Sequence, residues 1–149
     1  MKKLNIATLL CGLILFFTAC GPSVNKIEDV TQLKPDDAEA AYNSGIAKYD
    51  LKDYTGAIED YNKAIQLKPD FAVAYYGRGR AKDDLKDYTG AIEDFNKAIQ
   101  LKPDFAKAYL HRGIAKFYLK DKNGACTDLT KAGELGCSDA YAYIKNYCQ

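Results

Sequence analysis

Residues 50–83 and 84–117 are two copies of one 34-residue segment, identical at 28 of the 34 aligned positions. A chain built on such a period has few folds open to it. Each copy is too short to bury a core alone, so its apolar faces must be covered by the copies before and after it. The phrase Gln-Leu-Lys-Pro-Asp carries the same step, standing at 32–36, 66–70 and 100–104. Its proline cannot continue the preceding helix, and Asp70 and Asp104 are placed to cap the following one through a side-chain oxygen. Two helical segments alternate between these marks. The first of each pair is predicted over 38–50, 72–84 and 106–118, and the second over 54–67, 88–101 and 122–135. Asp53, Asp87 and Asp121 stand between them as expected N-caps.

Small and large side chains also recur in step. Gly45, Gly79 and Gly113 lie in the first helices, while Ala57, Ala91 and Ala125, then Ala64, Ala98 and Ala132, lie in the second with Tyr61, Phe95 and Leu129 between them. Such alternation lets paired helices approach closely. Across residues 38–137 this pattern resembles the tetratricopeptide repeat (TPR), a 34-residue helix–turn–helix unit with Gly, Ala, a large aromatic, Ala and Pro at these offsets. The resemblance implies an all-α TPR-type solenoid of three repeats, 37–70, 71–104 and 105–138. A capping helix would close it over 139–149, with Ala140, Tyr141, Ile144 and Cys148 along one side. The resemblance further implies a protein-interaction module whose first helices line a concave groove.

Five of the six mismatches between the copies point to the same surface. They are Val73/Lys107, Tyr76/Leu110, Gly77/His111, Arg80/Ile114 and Asp83/Phe117, spaced along one face of one helix. The sixth, Tyr61/Phe95, is a conservative core exchange. Exchanges as radical as arginine for isoleucine would cost a few kcal/mol in a fixed interior, so this face is expected to be exposed. Solvated positions of the second helices did not drift, as Thr55/Thr89, Lys63/Lys97 and Gln66/Gln100 show. That contrast favours a binding surface over idle variation. With the first repeat added, the candidate groove comprises Tyr42, Asn43, Ile46 and Tyr49; Val73, Tyr76, Arg80 and Asp83; Lys107, Leu110, His111, Ile114 and Phe117. Glu39 and Gly77 belong to the same groove. Aromatic and aliphatic groups with interspersed charge suit a peptide or helix anchor. The carboxylate clamp of some TPR domains is incomplete here. Asn43 and Lys107 are present, but Tyr42, Ile46, Arg80 and His111 stand where most of it should be.

Charges recurring with the period read as structure. Arg78 and Arg112 are expected to pair with Asp60, Asp94 and Asp128 between packed helices, with Ser44 replacing the arginine in the first repeat. Catalysis finds no constellation: His111 is the only histidine, and Gly77-Arg78-Gly79 lies inside a helix with no preceding strand to make a phosphate loop. No cofactor, metal or small-molecule substrate is expected. With 21 basic and 20 acidic residues, the chain also lacks the basic excess of a nucleic-acid binder.

The N-terminus is a different material. Lys2 and Lys3 precede a twelve-residue apolar run, Ile6–Phe17, then Thr18-Ala19-Cys20. The run spans roughly 18 Å as a helix, short of a bilayer core of about 30 Å, and reads as a signal peptide over 1–19. Ala19-Cys20-Gly21 resembles a bacterial lipobox. By that resemblance Cys20 becomes an acylated N-terminus carrying chains such as palmitate. The protein is then an exported lipoprotein, held in the outer membrane and facing the periplasm. Simple cleavage leaving a Cys20 thiol is the alternative. The linker over 20–36 reaches at most roughly 60 Å, so partners would be membrane-proximal, including assembly complexes of the pilotin kind. Cys126 and Cys148 each lie eleven residues from Cys137, which sits at a turn between helices. They are expected side by side as a disulfide, against the alternative of three buried thiols. Cys137 is then odd, and a thiol-based redox protein using it is the rival reading.

Overall fold

The computed structural model describes residues 35–148. They form seven α-helices: α1 (Pro35–Asp50), α2 (Tyr54–Leu67), α3 (Ala72–Asp84), α4 (Tyr88–Leu101), α5 (Ala106–Tyr118), α6 (Lys122–Glu134) and α7 (Asp139–Tyr147). The signal segment, Cys20 and the tether up to residue 34 lie outside the described residues. No helix among the described residues is long and apolar enough to cross a membrane. Helix α1 begins three residues earlier than expected, with Pro35 in its first turn, where a missing N–H costs nothing.

Each helix packs on the next. Helices α1, α3, α5 and α7 also touch in sequence, whereas α2, α4 and α6 make no contact with one another. The odd helices therefore form the crowded inner row of an all-α TPR-type solenoid, and the even ones the outer row. The close approach inside each repeat is set by glycine. A Cβ on Gly45 would lie 2.6 Å from Tyr61 Cε1, and one on Gly79 would lie 2.7 Å from Phe95 Cε1. In the third repeat Leu129 takes the place of the ring, 3.0 Å from the corresponding position on Gly113.

The turns repeat as faithfully as the helices. Asp53, Asp87 and Asp121 accept from the amides of Gly56, Gly90 and Gly124 at 2.9–3.0 Å, satisfying one orphan donor in each even helix. Just before them, Lys52, Lys86 and Lys120 occupy left-handed backbone with φ of 64°, 65° and 68°. That conformation lets the amide of Asp53 reach back to the Lys48 carbonyl at 2.9 Å, with equivalents in the next two repeats. The expected caps at Asp70 and Asp104 are not formed. The N-caps of α3 and α5 are Phe71 and Phe105, without a side-chain hydrogen bond. Packing wins over capping there: Phe71 lies 5.3 Å from the Tyr42 ring and Phe105 lies 4.9 Å from that of Tyr76.

Ion pairs knit the repeats. Arg78 holds both oxygens of Asp94 at 2.9 and 2.5 Å and donates to Asn62 at 2.5 Å, joining α2, α3 and α4. Arg112 does the same with Asp128 and Asn96 one repeat on. Lys82 and Lys116 complete the clusters at 2.8 and 2.7 Å, and both aspartates are buried. In the first repeat Ser44 donates to Asp60 at 2.6 Å, and Lys48 lies 2.9 Å away.

At the C-terminal end α7 lays Ala140, Tyr143, Ile144, Tyr147 and Cys148 on a cluster containing Leu110, Ile114, Leu129 and Ala132. Tyr141, expected on that side, is instead 63 % exposed. Position 143 takes its place because residues three and four apart share a helical face. A disulfide joins Cys126 of α6 to Cys148 beyond α7, with Cα atoms 5.7 Å apart, and Cys137 is a half-buried free thiol.

Candidate functional site: a tyrosine-lined pocket on the inner face

The inner row brings most of the predicted groove residues into two non-equivalent junctions. Between the first and second repeats lies a pocket of ≈ 210 Å³, lined by Tyr42, Ile46, Tyr49 and Asp50 from α1, Tyr61 from α2, and Tyr76, Gly77 and Arg80 from α3. Helical spacing places each of them: 42, 46 and 49 on one face of α1, and 76, 77 and 80 on one face of α3. Arg80 Nη2 donates to the Tyr49 hydroxyl at 2.7 Å, and its guanidinium carbon sits 4.8 Å above the Tyr49 ring. The same hydroxyl donates to the Asp84 carboxylate. Burial and that acceptor push the Tyr49 pKa upward. Burial lifts Tyr61 to about 12 and also raises Tyr76. These phenols therefore stay protonated donors.

The second junction is closed. His111 occupies the place of Gly77, with its ring 5.7 Å from that of Tyr76 and 6.1 Å from that of Phe95. Burial, with Arg80 nearby, pushes its pKa down to about 4, so the imidazole is neutral at pH 7. The two exchanges are linked. A Cβ on Gly77 would lie 2.8 Å from Tyr61 Cζ, so the first junction tolerates a tyrosine there only because residue 77 has no side chain. Where histidine stands, the ring beneath has lost its hydroxyl. Tyr61/Phe95 is a core exchange, as expected, since both rings are buried, and it lies directly beneath the Gly77/His111 exchange.

The expectation of a wholly exposed face is corrected in the third repeat. Leu110 and Ile114 are only 5 % and 8 % exposed, because α7 covers them as a further repeat would. Phe117 stacks on Tyr147 at 3.9 Å, leaving Lys107 as an exposed member of that repeat. Asn43 and Ile46 are exposed, and Val73 is half-buried. Asp83 is half-buried with Oδ1 lacking any hydrogen-bond partner, the one such buried side-chain atom among the described residues. Burial and the neighbouring Asp84 raise its pKa to about 6. Sequence reading missed Asp84 and the lysines at 48, 82 and 116. The lysines carry a signal it could have used, since they recur with the period four residues after Ser44, Arg78 and Arg112.

A stack of helix pairs with a side-chain-lined inner row defines a repeat protein of the helical-solenoid class. Family models described as TPR repeat and tetratricopeptide repeat match residues 45–82 and 72–105. Residues 45–105 are thus tetratricopeptide repeats. Among solved structures it is similar to the first TPR of Spaghetti (RPAP3) bound to the HSP90 peptide SRMEEVD. The TM-score is 0.75, at 27% identity over 78% of this chain and 94% of that one. The TPR2B domain of yeast Sti1, in a complex with pHsp70, gives 0.64 at 29% identity over 74% and 85%. MamA gives 0.66 at 31% identity over 72% and 63%. Comparison with curated proteins returns no match.

Proposed function

We propose that the array is a protein-interaction module that holds a peptide or helix of a partner protein in its inner groove. The observation that carries this reading is the pocket of the first junction, open only where Gly77 replaces the bulk found at His111. The peptide complexes of the Spaghetti and Sti1 domains support it as an analogy of fold. In its finer form the module is a lipoprotein acylated at Cys20, exported to the outer membrane and facing the periplasm. There it serves as a membrane-proximal adaptor or as an assembly factor for a pilus, secretion or outer-membrane complex. The sequence supports the anchor through its signal segment and Ala19-Cys20-Gly21. The redox reading loses support, because Cys126 and Cys148 are joined to each other and Cys137 has no second free thiol among the described residues.

The test is crosslinking and pull-down from membranes with wild type and a Tyr76→Ala/Phe117→Ala variant. Equal recovery of the same partners by both would exclude the groove. Membrane retention after Cys20→Ala, equal to wild type, would exclude the lipid anchor.

A further inference from the structure

We propose that the pocket of the first junction receives one aromatic side chain of the partner, carried on a neutral or basic segment. The inference rests on the groove-binding reading above and gives it a chemistry. Three observations converge on it.

The first is size and wall chemistry. A cavity of ≈ 210 Å³ bounded by tyrosine rings and Ile46 is of the order that takes a single ring, since an engineered apolar cavity of about 150 Å³ binds benzene. The second is Arg80. Arg78 and Arg112 are each locked to a buried aspartate, whereas Arg80 has no carboxylate within ion-pair distance among the described residues. It is a planar cation lying over one ring and lining the cavity, an arrangement that a second ring can complete by stacking. The third is charge. Asp50 lines the pocket, Asp84 accepts from Tyr49, and Asp83 stands one turn along α3. One guanidinium among three carboxylates leaves no net attraction for an acidic ligand. Neutral or basic flanks are favoured, unlike the SRMEEVD peptide of the similar Spaghetti complex.

The second junction serves as an internal control. There His111 fills the place of Gly77 over Phe95, and Ile114 replaces Arg80, so both features of the pocket are absent together.

The chain contains no tryptophan, so an indole probe reports binding without background. Amidated Lys-Trp-Lys, Lys-Ala-Lys and Glu-Trp-Glu, and Glu-Glu-Val-Asp with a free C-terminus, are titrated into the full chain. Tryptophan fluorescence follows the indole peptides, and calorimetry follows the others. Lys-Trp-Lys should bind with a Kd of about 1 mM or below, and Lys-Ala-Lys and Glu-Trp-Glu at least tenfold more weakly. The pocket is then plugged by Gly77→His/Tyr61→Phe, which copies the residue pair of the native second junction. Plugging should weaken Lys-Trp-Lys at least tenfold, as should Arg80→Ile. Unchanged binding after plugging, or no binding at millimolar peptide, overturns the aromatic assignment. Tighter binding of Glu-Glu-Val-Asp that plugging abolishes also overturns it, making Arg80 a carboxylate receptor while the groove reading stands. Partner capture in the pull-down that survives both the plug and Tyr76→Ala/Phe117→Ala counts against the groove itself.

Discussion

His111→Phe should flatten the acid side of the stability curve. The wild-type imidazole is held near a pKa of about 4 against an ordinary 6.5, because burial between Tyr76 and Phe95 disfavours its charged form. A depressed histidine pKa contributes stability that is present above pH 6.5 and is lost as pH falls towards 4. Between pH 7 and pH 4.5 these values give a loss of about 2.4 kcal/mol. Water at the rim of the ring reduces this to about 2 kcal/mol. Phenylalanine keeps a ring in the same place and cannot titrate. Urea unfolding at both pH values, with the disulfide intact, measures the difference directly. Asp83 pulls the other way. Its raised pKa makes the folded state relatively stronger below pH 4 and weaker as pH rises through about 6. Because Asp83 is common to both proteins, it cancels in the comparison. If wild type and His111→Phe lose stability in parallel from pH 7 to pH 4.5, the imidazole is solvated and does not plug the second junction.

The other perturbations are simpler to read. Asp83→Asn should gain about 1 kcal/mol at pH 7.5 and nothing at pH 4 in the same assay, since it removes a poorly solvated carboxylate lacking a partner. Phe95→Tyr should cost about 1–3 kcal/mol by driving a hydroxyl towards His111, and much of that should return in Phe95→Tyr/His111→Gly, a double-mutant cycle read by chemical denaturation. Lys86→Gly should raise stability by about 0.5–1 kcal/mol, because a side chain at φ 65° is strained. Reducing the Cys126–Cys148 bridge, which closes a separation of 22 residues, should cost about 3 kcal/mol and lower the thermal midpoint accordingly.

Much of the scaffold was legible because the sequence states its period openly. Helix boundaries for α2 to α5 follow from residues that recur 34 positions apart, and so do the aspartate caps and the Arg–Asp pairs. The site was harder to see, for a physical reason. Radical exchange was taken to require exposure, but a buried position also tolerates it when its neighbours change with it. His111 sits over Phe95, which lacks the hydroxyl of Tyr61, and Leu110 and Ile114 lie under α7. A comparison of two copies shows which positions differ but not which copy ends the stack. The missing caps at Asp70 and Asp104 share this origin, since only the folded array shows that Phe71 and Phe105 are wedged against the preceding repeat.

The bridge between Cys126 and Cys148 gives the array a direction of failure. In a stack where each member leans only on its neighbours, melting starts at whichever end is loose. Here the last helix is stitched to the one before it, while among the described residues α1 meets only α2 and α3 and carries an exposed Ile46. Fraying should therefore run from the N-terminal repeat inwards. The first junction, where the open pocket lies, would loosen before the plugged one. A partner seated in that pocket would bridge α1 and α3 and close the seam at which the protein otherwise begins to come apart.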